Sequence, residues 1–154
     1  MKRFFLLLLT TITLLLAQDK TAQVVYDLTT TNIETFERKI LKAIVANKAH
    51  YEASLTELDV VVVIHGDAYK FFTKNPLKSI YKNDKVLTTT YKNLSKRIKS
   101  MVENYDVVFL MCKAGMQKRE LKSTDIYKFV TIIPNSTIGL IDKQNEGYAY
   151  IPVH

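Results

Sequence analysis

One side chain in this chain of 154 residues is unique in kind: Cys112, the single cysteine. It stands where the apolar run Val107-Val108-Phe109-Leu110-Met111 breaks into Lys113, Gly115 and a basic stretch with Lys118 and Arg119. A thiol in that setting has two readings. Nearby cations and a helix N-terminus both stabilise a thiolate, lower the thiol pKa and leave the sulfur nucleophilic. A free cysteine is equally at home as a small, inert hydrophobe in a packed core. Residue types alone leave both open.

Other candidate groups also follow apolar runs. His65-Gly66-Asp67 closes Leu58-Asp59-Val60-Val61-Val62-Val63-Ile64, and Asn135-Ser136 follows Phe129 to Pro134. His65 is either bonded to a neighbouring loop backbone or a base or orienting group for Cys112. Asp67 is its partner or a turn residue, and His50 and His154 form no ligand spacing with it. Gly66 and Gly115 sit just past strand-like runs, where backbone must turn or approach something closely. The sequence holds no HExxH, no paired cysteines, no G-x-G-x-x-G, no phosphate-binding loop and no G-x-S-x-G elbow. The expected chemistry therefore needs neither a metal nor a nucleotide cofactor.

Periodicity supplies the elements that must position these groups. Gln23 to Leu28 reads as a short strand, followed by Thr29-Thr30-Thr31 and Asn32, a good helix N-cap. Ile33, Phe36, Ile40, Leu41, Ile44 and Val45 recur at steps of three and four, predicting a helix to about Tyr51. The β-branched run Leu58–Ile64 fits a central strand of a parallel sheet, covered on both faces. Ala68–Thr73 suits a helical turn, and Asn75 to Val86 a loop or short helix with exposed lysines. Thr88–Asn104 is a second amphipathic helix, with Tyr91, Leu94, Ile98, Met101 and Val102 on one face and Lys92, Lys96, Arg97 and Lys99 on the other. Val107–Met111 is the third strand, with a helix-prone segment from about Met116 and a capped turn at Ser123–Tyr127. Phe129–Ile133 is the fourth strand, and Asn135 starts a last helix through about Asn145, with Gly147 beyond its end. Tyr148–Ile151 is a final short strand.

This alternation predicts a single three-layer α/β domain with an open, mostly parallel sheet of about five strands and helices on both faces. In such sheets ligands bind at the carboxyl ends of the strands. His65, Gly66, Asp67, Cys112, Lys113 and Asn135 all fall there.

The N-terminus addresses the compartment. Met1-Lys2-Arg3 precedes an uncharged, mostly apolar run of 14 residues, Phe4 to Ala17, and then Gln18-Asp19-Lys20. That is the layout of a secretory leader, too short for the roughly 20 apolar residues of a membrane span. Residues 1–17 are read as a signal peptide and 18–154 as the domain, although Leu15 is large for the cleavage rule, which keeps an uncleaved anchor open. Without residues 1–17 the formal charge falls from +7 to +5, with 20 basic against 15 acidic side chains. Export to a periplasm argues against a nucleic-acid partner, while the positive balance suits acidic partners or a membrane surface. One cysteine cannot form an internal disulfide, so in an oxidising compartment it is either buried or reacts with something else.

Three ordered stretches resemble the DsrE/DsrF-like family of small α/β sulfur-relay proteins. They are VVVIHGDA (Val61–Ala68), VVFLMCKAGMQKRELKSTDIY (Val107–Tyr127) and VTIIPNSTIGLIDKQNEGYAYI (Val130–Ile151). The resemblance implies a layered α/β fold and a cofactor-free sulfur carrier or sulfurtransferase. It also implies a persulfide on Cys112, a sulfur donor or acceptor as partner, and assembly from several copies. His65, Gly66, Asp67, Lys113 and Asn135 are expected around that thiol. The alternatives are a non-catalytic binding or assembly module with a structural Cys112, and a redox-sensing thiol that pairs between molecules.

Overall fold

The computed structural model describes residues 20–154. The expected leader, residues 1–17, lies outside the described residues. Five strands form one sheet: β1 (Lys20–Leu28), β2 (Thr56–Ile64), β3 (Val108–Cys112), β4 (Val130–Ile133) and β5 (Ala149–Val153), in the order β4-β3-β2-β1-β5. Every neighbouring pair is parallel, so the sheet is wholly rather than mostly parallel. β1 begins at Lys20, three residues before the periodicity suggests, because its first residues pair with Thr56–Leu58 of β2.

The central strands bury side chains on both faces. Val60, Val62 and Ile64 of β2 join the larger core, while Val61 and Val63 pack with Val25 of β1 in a smaller one. Alternation at a period of two sends successive valines to opposite faces, which explains the uninterrupted apolar run. The larger core is covered by α1 (Ile33–Phe36), a π-helical segment (Glu37–Lys42), α2 (Ala43–Glu52), a 3-10 segment (Ala68–Phe72), α3 (Lys85–Tyr105) and α4 (Lys113–Gln117). Phe36 stacks on Phe71 at 4.4 Å between ring centroids and meets Phe72 edge-on at 5.9 Å, tying α1 to the 3-10 segment.

Two helices begin earlier than their apolar periodicity predicts. α3 starts at Lys85 rather than Thr88, because the Asp84 carboxylate accepts the Leu87 N–H at 3.0 Å and caps it. α4 starts at Lys113 rather than near Met116 and runs only to Gln117, which makes Cys112 its N-cap residue. Among the described residues α5 (Ser136–Asn145) is the helix that covers the smaller core, with Leu140 packed against it. The helix approaches so closely that a Cβ on Gly139 would stand 2.4 Å from Ile133 Cδ1.

Topology explains the unequal layers. The chain steps β1, β2, β3, β4 in one direction across the sheet, then returns to place β5 outside β1. Right-handed crossovers put the connections of the outward steps on one face and that of the return step on the other. Among the described residues no helix is long and apolar enough to cross a membrane.

Candidate functional site

The reversal of direction after β4 also creates the site. At the carboxyl ends, the chain leaves β3 toward the larger core and leaves β4 toward the opposite face. Neighbouring strands whose connections part in this way open a crevice between them. Cys112 ends β3 and Asn135-Ser136 follows β4, so the thiol lies in that crevice. The Ala114 N–H reaches the Pro134 carbonyl at 3.4 Å, joining the start of α4 to the turn before α5.

The crevice is a cleft of about 330 Å³ that includes Cys112, His65, Gly66 and Asn135, together with Tyr69, Gly115, Lys118, Arg119 and Ser136. Larger grooves lie elsewhere, about 650 Å³ beside Leu55–Leu58, about 750 Å³ beside Lys74–Lys82 and about 490 Å³ between Leu41 and Met101. None of these is lined by a histidine or by the cysteine, so the smaller cleft holds the reactive groups.

Cys112 is 6% exposed. Burial pushes its thiol pKa up, because a thiolate loses hydration there. Hydrogen bonds from the Gly115 backbone N–H, the Tyr69 hydroxyl, and the backbone N–H and hydroxyl of Ser136 favour the thiolate and outweigh burial, leaving the thiol below its ordinary value. The donors come from both sides of the crevice. Gly115 and Tyr69 belong to the larger layer, and Ser136 opens α5.

Tyr69 is fully buried, and its hydroxyl donates to the Cys112 carbonyl at 2.7 Å. Burial, then the neighbouring Cys112, pushes its phenol above the ordinary range, so it remains a proton donor. A phenol carries one proton, and the carbonyl takes it in the geometry shown. The same hydroxyl also favours the thiolate form of the neighbouring sulfur. Gly115 admits this ring: a Cβ there would lie 2.2 Å from Tyr69 Oη and 2.9 Å from Cζ. Arg119 stacks its guanidinium 5.0 Å from the Tyr69 ring centroid, donates to the Gly115 carbonyl at 3.2 Å, and pairs with Asp67.

His65 is held by a carboxylate rather than by loop backbone. Its Nε2 lies 2.5 Å from Asp27 Oδ1, and Tyr150 donates to Asp27 Oδ2 at 2.6 Å. Gly66 adopts φ +62°, the left-handed turn that ends β2, with Thr29 Cβ 3.1 Å from where its own Cβ would be. Asn135 caps α5 by accepting the Ile138 N–H at 2.9 Å, which sets Ser136 at the first helical position.

Two of the six expected residues stand outside the cleft lining. Lys113 is exposed, and the cations that line the cleft are Lys118 and Arg119, about a turn further on. The Asp67 carboxylate is 65% exposed and is engaged by Arg119 rather than by His65. Tyr69 and Tyr150 carried no signal in the sequence. Asp27 and Ser136 stand at strand ends, where the sequence places candidate groups, but it assigned them no role.

The sequence profile of the DsrE/DsrF-like family matches residues 23–153, nearly all of the described chain. The chain belongs to the DsrE/DsrF-like family. Among solved structures, this DsrE-family chain is similar to MTH1491 from Methanobacterium thermoautotrophicum, a protein of unknown function. The TM-score is 0.59 at 18% identity, over 85% of this chain and 98% of that one. At that identity the likeness speaks for the fold alone. An uncharacterized protein of Aquifex aeolicus (strain VF5) is 34% identical over 59 residues, 38% of this chain and 26% of that protein. The chain thus matches about a quarter of that relative's length.

Proposed function

We propose that this DsrE-family protein is an exported sulfur carrier or sulfurtransferase that holds sulfane sulfur as a persulfide on Cys112. The observation that carries the reading is the Cys112 thiol. It lies in a cleft at the carboxyl edge of a parallel sheet, depressed below its ordinary pKa by donors from two layers. A depressed thiol is nucleophilic when it attacks and a good leaving group when it departs. With polysulfide, the Cys112 thiolate attacks a sulfane sulfur, one S–S bond breaks as another forms, and a polysulfide shorter by one sulfur leaves. With thiosulfate the leaving group is sulfite. No cofactor and no net oxidant enters either step.

One cysteine means no resolving thiol in the same chain, so bound sulfur leaves only to another molecule. That fits a carrier with a separate donor and acceptor. The leader-like residues 1–17 support delivery to a periplasm. The test is to incubate purified protein with polysulfide or thiosulfate and weigh it intact. The reading expects the mass of added sulfur on the parent and none on Cys112→Ser. Equal loading of both, or of neither, overturns it.

A second reading, an assembly module with a structural Cys112, is favoured by apolar side chains on and beside α5. Val108, Ile138, Ile141 and Tyr150 are each more than two-fifths exposed. These would be covered by further copies of the chain. Native Cys112 that resists alkylation until the protein is unfolded, in a chain that sediments as an oligomer, would favour this reading.

A further inference from the structure

The cleft is also lined by His65, a group that thiolate chemistry alone does not use and that ends the polar chain Tyr150–Asp27–His65. Asp27 is 7% exposed, yet both carboxylate oxygens are occupied, Oδ1 by His65 Nε2 at 2.5 Å and Oδ2 by the Tyr150 hydroxyl at 2.6 Å. An ionised carboxylate only accepts, so both partners donate, and Nε2 carries the hydrogen in the Asp27 bond. In neutral His65 the lone pair is therefore on Nδ1, which has no protein partner among the described residues. His65 is 28% exposed on its side chain and lines the same cleft as Cys112.

Register brings the two together. Val63 pairs with Leu110 and Ile64 with Met111 on the adjacent strand, and His65 and Cys112 are the residues that follow this last pair. Neighbouring strands run about 4.8 Å apart, and both residues line the one cleft at their ends.

Sulfur transfer needs a proton at this point. A persulfide anion bears its charge on the outer sulfur, which repels an incoming thiolate. We propose that His65, held by Asp27 and Tyr150, is the acid that protonates the outer sulfur of the Cys112 persulfide and so permits transfer to a thiol acceptor. This rests on the carrier reading of Cys112. Imidazolium gives its proton to the outer sulfur, turning Cys112–S–S⁻ into Cys112–S–SH and leaving neutral His65. The acceptor thiolate attacks that outer sulfur, a new S–S bond forms, and the bond to Cys112 Sγ breaks. The electron pair goes to Cys112 Sγ, where the Gly115 and Ser136 donors receive the thiolate, and the acceptor departs as a persulfide. His65 regains a proton from solvent at the cleft mouth. Charge and atoms balance without any change of overall oxidation state. Asp27 and Tyr150 are positioning residues, which fix the ring and balance its charge.

The experiment separates loading from discharge. Parent, His65→Gln, Asp27→Asn and His65→Ala are loaded with polysulfide, freed of excess and mixed with cysteine, and sulfur remaining on Cys112 is followed by intact mass. Loading is run to completion with excess polysulfide, so every variant should reach the parental extent of added sulfur whatever its loading rate. Discharge of His65→Gln should slow about 10²-fold or more, the usual worth of a positioned acid. Asp27→Asn should slow discharge in the same direction, and added imidazole should restore it in His65→Ala. A loaded His65→Gln that discharges at the parental rate overturns the assignment. So does a folded His65→Gln that cannot be loaded, since His65 would then serve the thiolate itself. A parent that takes up no sulfur removes the carrier reading, and this one with it.

Discussion

Replacing Tyr69 by Phe tests whether the cleft is built around a thiolate. The substitution keeps the buried ring, so the burial that pushes the Cys112 thiol up is not relieved. Only the hydroxyl is lost, and that hydroxyl is among the groups that hold the thiol down. The sign is therefore fixed: the thiol pKa must rise. A hydrogen bond to a charged acceptor is worth about 1.5–3 kcal/mol, and 1.36 kcal/mol corresponds to one pKa unit. The Gly115 and Ser136 donors remain, so the lower end applies, and alkylation near neutral pH should slow about tenfold. The assay is the rate of iodoacetamide alkylation across roughly pH 5 to 10, where thiols titrate. Cys112 is the single cysteine, so every adduct reports this site. The rate midpoint should move to higher pH in Tyr69→Phe while the plateau rate stays close to the parent's. Removing the hydroxyl also leaves the Cys112 carbonyl without its 2.7 Å donor, a cost of about 1–3 kcal/mol in stability. Measurements are therefore made well below the denaturation midpoint. An unchanged or lowered midpoint in folded protein would refute the role of the Tyr69 hydroxyl in holding the thiol down.

Gly115→Ala should be as damaging to the thiol as Tyr69→Phe, because the added Cβ meets the Tyr69 phenol at 2.2 Å and must push the ring away. Overpacking of this kind costs about 1–3 kcal/mol, readable as a lower urea midpoint together with slower alkylation near neutral pH. Phe36→Ala removes a ring stacked on Phe71 and edge-on to Phe72, and should lower stability by about 3–5 kcal/mol in urea titrations. The folded Cys112 thiol titrates below the unfolded one, so its thiolate adds stability that is fully present above about pH 8.5 and lost as pH falls through the folded value. The urea midpoint of the parent should gain a rising component across that window that Cys112→Ser lacks. Tyr81 acts in the opposite sense. Burial raises its phenol to about 12, so its contribution is present below about pH 10 and fades as pH climbs toward the folded value. Denaturation melts above that pH should show a loss of stability that Tyr81→Phe reduces.

The order of strands and helices was legible because each depends on short-range pattern. The valines of β2 declare burial on two faces, and Asn32 and Asn135 declare two helix starts by their capping chemistry. The sequence also put Cys112 and His65 at strand ends, since both stand one step beyond an apolar run, but their meeting in one cleft came from the structure. Which charges accompany them did not follow. Lys113 is the immediate neighbour of Cys112 but points to solvent, whereas Arg119 lines the cleft and stacks on Tyr69. Asp67 lies two residues from His65, but Asp27, 38 residues away, is its partner. Proximity along the chain is a poor guide at a strand end, where the backbone turns and the next strand is nearer than the next residue.

By itself the sequence determined the alternation of strands and helices, the family, and a single thiol at a strand end without a partner thiol. Local pattern suffices for these, because periodicity and capping act within a few residues. Only the tertiary structure decided what surrounds that thiol. The return of the chain from β4 to the far side of β1 opens the crevice in which Cys112 sits. It brings Ser136 of α5 against a sulfur held from the other side by Gly115 and Tyr69. The β1–β2 and β1–β5 pairings carry Asp27 between His65 and Tyr150, 38 and 123 residues distant along the chain. Hydrogen bonds between residues so far apart are set by strand register, which depends on the whole sheet rather than on any stretch of it.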